Sequence, residues 1–356
     1  MQGKLFESHT HHNLDVSLEK SIEIFRAECA RTDVAKIAFL SLPHHATSEG
    51  IDFDCLQNMK MLYLKYAFSP DGYAFAHLEH LLGEYDSDAL ADIFLKQAEK
   101  YIGAGFDGFK MLEGYPSLRK EMRLSLCDRA YDKFYSFLEE NAIPVVMHVA
   151  NPESFWDRSA VPAEAIALGR FCDDTYPSKR QLHDEVEGIM KKHPKLRLTL
   201  AHFGFLSYDI LAARRWLDEY EFTAFDTTPG DEQFLEMLKN WTEWSGFFEK
   251  YQDRIMYGSD FYPFQNRRPQ FLRQFFETEG EFTFLGKTFR GVAMDEKILK
   301  KIYFENMYKR VGEPKPIDFA YLRQEMERVQ ALPYGKRTHT DEDICFILQN
   351  IESKLG

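Results

Sequence analysis

His9 and His11 lie two residues apart at the end of the first β-rich run, so on a strand their side chains share one face. His148 ends the run IPVVMHV, His202 follows LRLTLA, and Asp260 closes RIMYGSD. Imidazoles and one carboxylate gathered around a point form a ligand set suited to zinc or a similar divalent ion. Any single member is weak evidence, because HxH arises by chance and a strand-end histidine is usually just hydrogen-bonded. Their joint placement at strand ends carries the weight. His12, His44, His45, His77, His80, His193 and His339 fall in loops or helices, although His44 and His45 follow the second strand and could touch substrate. His183 sits on a helical segment and is read as non-catalytic.

These side chains meet only if their strands run parallel and end at one mouth. Eight β-rich runs are present, at 4–9, 34–42, 61–68, 106–112, 143–149, 196–203, 221–226 and 254–261. Near-continuous apolar runs of this kind suit strands buried on both faces. Amphipathic helical segments separate most of them, with a Ser/Glu pair opening the first and glycines or Pro144 closing others. With a further helix at 295–312, the pattern predicts the α/β class and a (β/α)8 barrel. The expected domains are a barrel at 1–312 and a C-terminal helical extension at 313–356. The extension should contain helices near 319–332 and 340–355 and serve packing or an oligomer contact. Two long connections, 151–179 and 262–291, follow strand C-terminal ends and are candidate lids, the second with a hairpin at EFTFLGKTF.

The chain has 356 residues, and 44 basic against 57 acidic side chains leave a formal charge of −13. So large an acidic surplus excludes nucleic acid or an anionic membrane as the main partner and leaves a small-molecule substrate. No apolar run is long enough for a membrane span, and the N-terminus lacks a secretory core. Five scattered cysteines without CxxC spacing read as reduced thiols, so a cytoplasmic location is expected. Neither GxGxxG nor GxxxxGK[ST] occurs, which disfavours nicotinamide and nucleotide chemistry.

The segments ESHTHH, GFDGFKML, IPVVMHVA, HPKLRLTLAHFG, DRIMYGSDFYP and IYFENMYKR together resemble the amidohydrolase superfamily, in its amidohydrolase-2 (amidohydrolase-related) branch. The resemblance spans roughly residues 4–310. It implies one divalent ion, zinc with manganese or iron as alternatives, held by His9, His11, His148 and Asp260, and no second metal. His202 would face the same pocket and polarise the substrate or orient the attacking water, and Asp260 would also shuttle the proton.

Two positions depart from or qualify the family pattern. Glu7 stands two before His9, where the family commonly has Asp, which points to a changed supporting contact and an unchanged ligand set. Lys110 ends the fourth strand, where binuclear relatives use a carbamylated lysine. In this branch it reads as an ammonium binding an anionic substrate group, or as a structural partner of Glu113 or Asp107. Asp226, Thr227 and Thr228 end the seventh strand and either touch substrate or form a turn. Trp156, Asp157 and Arg158 on the first lid, and Asn266, Arg267 and Arg268 on the second, are further candidates, the arginines suiting a carboxylate.

The implied activity is hydrolysis of an amide, lactone or similar bond of a small polar molecule by metal-activated water. A metal-dependent decarboxylase or hydratase on the same barrel is the alternative, and a non-catalytic ligand-binding barrel a third. A TatD-type nuclease would carry a bridging glutamate where this chain has Phe109, Lys110 and Met111. The charge also argues against nuclease work.

Overall fold

The computed structural model describes residues 4–12, 15–43, 51–80, 86–228, 231–263, 268–332 and 339–354. Its main sheet holds β1 (Leu5–Thr10), β2 (Val34–Leu40), β3 (Gly72–Ala76), β4 (Gly108–Gly114), β5 (Val145–Val149), β6 (Leu198–Leu200), β7 (Ala224–Asp226) and β8 (Ile255–Met256). They neighbour one another in chain order, each parallel to the next. The first and last strands meet where Thr10 bridges Phe261 and Ser8 N–H donates to Tyr257 O at 3.3 Å. The result is the expected eight-stranded parallel barrel.

Parallel pairing requires crossovers, and helices supply them. They are α1 (Leu18–Thr32), α2 (Ile51–Ala67), α3 (Ser87–Ala104), α4 (Pro116–Met122), α5 (Asp132–Glu140), α6 (Ala163–Ala167), α7 (Lys179–Lys192), α8 (Ile210–Glu219), α9 (Asp231–Lys239) and α10 (Trp241–Lys250). Beyond β8 come α11 (Arg268–Glu277), the hairpin β9 (Glu279–Phe284) and β10 (Lys287–Val292), then α12 (Glu296–Lys300), α13 (Asn306–Val311), α14 (Phe319–Gln330) and α15 (Thr340–Ile351). No helix among the described residues is long and apolar enough to cross a membrane.

Phe6, Leu40, Tyr73, Phe75, Val146 and Met256 fill the barrel, and Phe304, Met307, Tyr308 and Val311 stop its lower end. The outward faces of the strands bury against the helices in a second, larger apolar cluster. Between α12 and α13 one π-helical turn, Lys301–Glu305, widens the helix. Its Ile302 carbonyl is thereby free to accept from Tyr257 N–H at 2.8 Å, tying the helix to the last strand.

The third strand differs from expectation. Residues 61–68 are the end of α2, and β3 begins only after Pro70 and Asp71. A short, wholly apolar run is ambiguous between strand and buried helix. Here Met, Leu and Lys, none branched at Cβ, favour the helix, and α2 packs against β2, β3 and α14, so most of its surface is covered. The correction moves one histidine: His77 directly follows β3, a strand-end position and not a remote loop.

The C-terminal helices pack on the barrel's outer helices, α14 on α2 and α15 on α1. Lys60 of α2 pairs with Asp343 of α15 at 2.6 Å, both side chains buried, and Asp343 Oδ1 also accepts from Leu18 N–H at 2.7 Å. Removing one partner of a buried pair leaves a charge without compensation, typically about 3–5 kcal/mol. Asp343→Ala should therefore lower unfolding stability by roughly that amount, and Lys60→Met with Asp343→Leu should recover most of it. Urea titrations followed by circular dichroism check both expectations.

Candidate metal centre at the barrel mouth

His9 and His11 lie at the end of β1 and are almost fully buried. His9 Nδ1 meets Asp226 Oδ2 at 2.8 Å, and His11 Nδ1 meets the Leu40 carbonyl at 2.7 Å. Both partners only accept, so both Nδ1 atoms carry the proton and both Nε2 atoms present lone pairs. Those two Nε2 atoms face each other at 3.0 Å. Asp260 Oδ1 stands 3.5 Å from His11 Nε2 and 4.0 Å from His9 Nε2. These three donor atoms lie within 4.8 Å of one another. Two converging lone pairs beside a carboxylate repel unless a cation lies between them, so this donor set fits a divalent ion.

Burial keeps the imidazoles neutral. It pushes His11 down to about 4 and His9 well below its ordinary value, the nearby Lys110 adding to the effect on His9. Burial would raise Asp260, but Arg268, His11 and His202 outweigh it and hold the carboxyl well below the usual carboxylate range. The Arg268 guanidinium binds Asp260 Oδ2 at 2.7 Å and its carbonyl at 3.1 Å. Asp260 itself takes a left-handed φ of 51°. A Cβ on Gly258 would lie 3.0 Å from His9 Cβ and 3.1 Å from Ser8 Oγ and Thr228 Cγ2, so a larger residue would crowd β1 where β8 brings Asp260 close to it.

His202 sits in a turn that the run LRLTLAHF did not foretell. His202, Phe203, Gly204 and Phe205 all have φ between 52° and 57°, a left-handed turn disfavoured by about 1–2 kcal/mol per non-glycine residue. Asp226 Oδ1 and Thr228 Oγ1 hold it by accepting from His202 N–H at 2.8 and 2.9 Å. His183, on α7, supports it from outside through Nε2 and the Gly204 carbonyl at 3.0 Å. The Thr228 hydroxyl donates to Asp226, so at 3.0 Å it must accept from His202 Nδ1. His202 therefore presents the lone pair of Nε2 when neutral.

His148 ends β5 outside the three-donor cluster. Its Nε2 lies 2.9 Å from the Ala150 carbonyl, and its ring contacts His202, with centroids 4.9 Å apart. Tyr115 lies edge-on to the other side of His148, at 5.3 Å. Lys110 points into the centre: Nζ is 3.1 Å from His9 Nε2, and burial lowers its pKa to about 8. Asp107 is bound instead by Lys65 at 2.7 Å, and Glu113 by His80 at 3.1 Å. Glu7 does not enter the cluster. It accepts from His9 N–H and Ser259 N–H at 3.1 and 2.9 Å, which joins β1 to the end of β8.

On the first lid, Trp156 donates to Pro177, Asp157 accepts from Ser159, and Arg158 lies over Phe171. His44, His45, Asn266 and Arg267 lie outside the described residues. Asp226 is the residue of this cluster that sequence reasoning undervalued. Its signal was an acid at a strand end, but DTTPG resembles any turn, and only the fold shows His9 across from it.

Carboxylates that hold a ligand histidine in one tautomer typically contribute about 10–100-fold to metal affinity. Asp226→Asn is thus expected to weaken metal binding by about that factor, and His9→Ala with His11→Ala to abolish it. Elemental analysis and competition with a chromogenic chelator read both. Bound metal should also be lost as pH falls, since each ligating imidazole must be neutral.

A family model described as Amidohydrolase matches residues 87–309. No curated protein matches the sequence. Among solved structures, an uncharacterised TIM-barrel protein from Bordetella bronchiseptica superposes with a TM-score of 0.55 at 12% identity, covering 83% of this chain and 85% of that one. A 2,6-dihydroxybenzoate decarboxylase from Rhizobium gives 0.53 at 15% identity over 87% and 99%. A 2,6-dihydroxybenzoate decarboxylase complexed with 2,6-dihydroxybenzoate gives 0.52 at 14% over the same shares. At such identities these likenesses establish the fold alone.

Proposed function

From the premise that this chain belongs to the amidohydrolase family, we propose that it is a metal-dependent hydrolase of an amide, lactone or similar bond in a small, carboxylate-bearing molecule. The observation that carries this reading is the convergence of His9 Nε2, His11 Nε2 and Asp260 Oδ1 at the mouth, with Asp260 ion-paired to Arg268. His9, His11 and Asp260 hold the ion in this proposal, with His148 as a further ligand from β5 on the far side of the mouth. When bound, a zinc, manganese or iron ion supplies Lewis acidity that polarises a carbonyl and acidifies water.

The chain's own groups supply the rest. Asp260, kept ionised by Arg268, accepts the proton of the attacking water and returns it to the leaving nitrogen or oxygen. His202 orients that water by accepting its hydrogen bond at Nε2, the ring nitrogen that does not face Thr228. Lys110 adds a positive charge beside His9 that suits an anionic group of the substrate. A cytoplasmic location fits the five free cysteines.

Decarboxylation is the second reading, favoured by the structural likeness to 2,6-dihydroxybenzoate decarboxylase over 87% of the chain. It would ask Asp260 to deliver its proton to carbon in place of a leaving nitrogen or oxygen.

The test is an assay of the metal-loaded protein against amides, lactones and aromatic carboxylates, reading amine release, ring opening and CO₂ separately. Asp260→Asn should lower turnover by about 10²–10⁴-fold, the usual contribution of a general acid–base group. It should lower bound metal far less. CO₂ release without hydrolysis would transfer the assignment to the second reading.

A further inference from the structure

We infer that His183, on α7, is a positioning residue: by holding the Gly204 carbonyl it keeps the His202 imidazole turned so that its lone pair stays on Nε2. The inference rests on the reading above that this nitrogen orients the attacking water, and it names the residue that keeps the nitrogen available.

Two contacts bracket the left-handed turn that runs from His202 to Phe205. Asp226 Oδ1 and Thr228 Oγ1 accept from His202 N–H at 2.8 and 2.9 Å, which fixes its first residue. His183 Nε2 donates to the Gly204 carbonyl at 3.0 Å, which fixes its third. That carbonyl belongs to the planar peptide linking Gly204 to Phe205, so holding it also holds the Phe205 nitrogen. Gly204 has no Cβ to restrict it, and without a donor this peptide rotates at little cost.

Phe205 carries the effect to His202. Its ring stacks on the imidazole with centroids 5.0 Å apart and 29° between the planes, and its centroid lies 5.4 Å from that of His148. Phe203, on the other side of Gly204, is seated in the apolar core against Phe225 at 5.5 Å. Gly204 is therefore the joint between a residue held by the core and a residue held against the imidazole. His202 Nδ1 lies 3.0 Å from the Thr228 hydroxyl, a contact that requires the ring to keep its plane. If the peptide turns, Phe205 leaves, the ring rotates, and nothing then restricts the proton to Nδ1.

His183 is itself fixed before it meets the turn. Leu182, Val186 and Ile189 of α7 are buried, and the His183 ring lies edge-on to Trp216 at 5.2 Å. A Cβ on Gly204 would lie 3.6 Å from Trp216, so the same indole touches both the turn and its donor. One helical turn earlier the buried Lys179 lies 3.4 Å from Glu153 of the first lid and 4.1 Å over the Tyr208 ring. A donor on so firmly seated a helix can impose a direction on a flexible peptide.

The experiment records long-range proton–nitrogen NMR spectra of the zinc-loaded protein carrying isotope-labelled histidine, with the His202 signals assigned from their loss in His202→Asn. Wild type should show His202 protonated at Nδ1. In His183→Leu the ratio of the Nδ1–H to the Nε2–H form should fall by about 3–10-fold, the scale of one net hydrogen bond. His183→Gln should return it to the wild-type value, because the Gln amide nitrogen reaches as far as imidazole Nε2, and His183→Asn, one carbon shorter, should not. Zinc content should be the same in all four proteins. Unchanged His202 signals in His183→Leu and His183→Asn overturn the assignment, even where thermal stability falls, and so does a wild type protonated at Nε2 or a failure of Gln to restore the ratio. The signals do not depend on turnover, so a protein with these signals that hydrolyses nothing would sink the hydrolase reading and leave His183 standing.

Discussion

Asp226 is the contact on which the mouth of this barrel depends. One oxygen takes the proton-bearing Nδ1 of His9, and the other takes the backbone N–H of His202 and the groups of Thr228. A single buried carboxylate thus joins β1, β6 and β7, sets the tautomer of one imidazole and positions another. Because the Thr228 hydroxyl is committed to Asp226, His202 must donate to it from Nδ1, which puts the lone pair on Nε2. Loss of Asp226 would remove the reason for two lone pairs to point at one place.

Around that carboxylate the backbone takes conformations it would not adopt alone. His202, Phe203 and Phe205 are left-handed without being glycine, and so is Asp260. Such conformations persist only where the surroundings over-determine them. Here His183 and Asp226 hold the first turn, and Arg268 grips both the side chain and the carbonyl of Asp260. These left-handed residues stand at the two strand ends whose side chains the proposed chemistry uses. Below the mouth apolar side chains fill the barrel, and the C-terminal helices pack outside it on α1 and α2.

Much of this was legible in the chain. The parallel barrel followed from near-continuous apolar runs alternating with amphipathic helices, and the strand-end positions of His9, His11, His148, His202 and Asp260 from where those runs stop. The hairpin after α11 and both C-terminal helices also stand where the pattern put them. The third strand was misread because residues 61–68 belong to a helix covered on most sides, and full burial erases the periodicity that separates helix from strand. His77 was misplaced with it.

Residue types and strand periodicity therefore determined which elements form and which side chains stand at their ends, since both are local properties of the backbone. Neither can report a contact between residues hundreds of positions apart. That Asp226 orients His9 and that Lys110 turns to His9 and not to Asp107 or Glu113 were decided by barrel closure. Closure sets the distances between strand ends, and it is those distances that choose a partner for each buried charge.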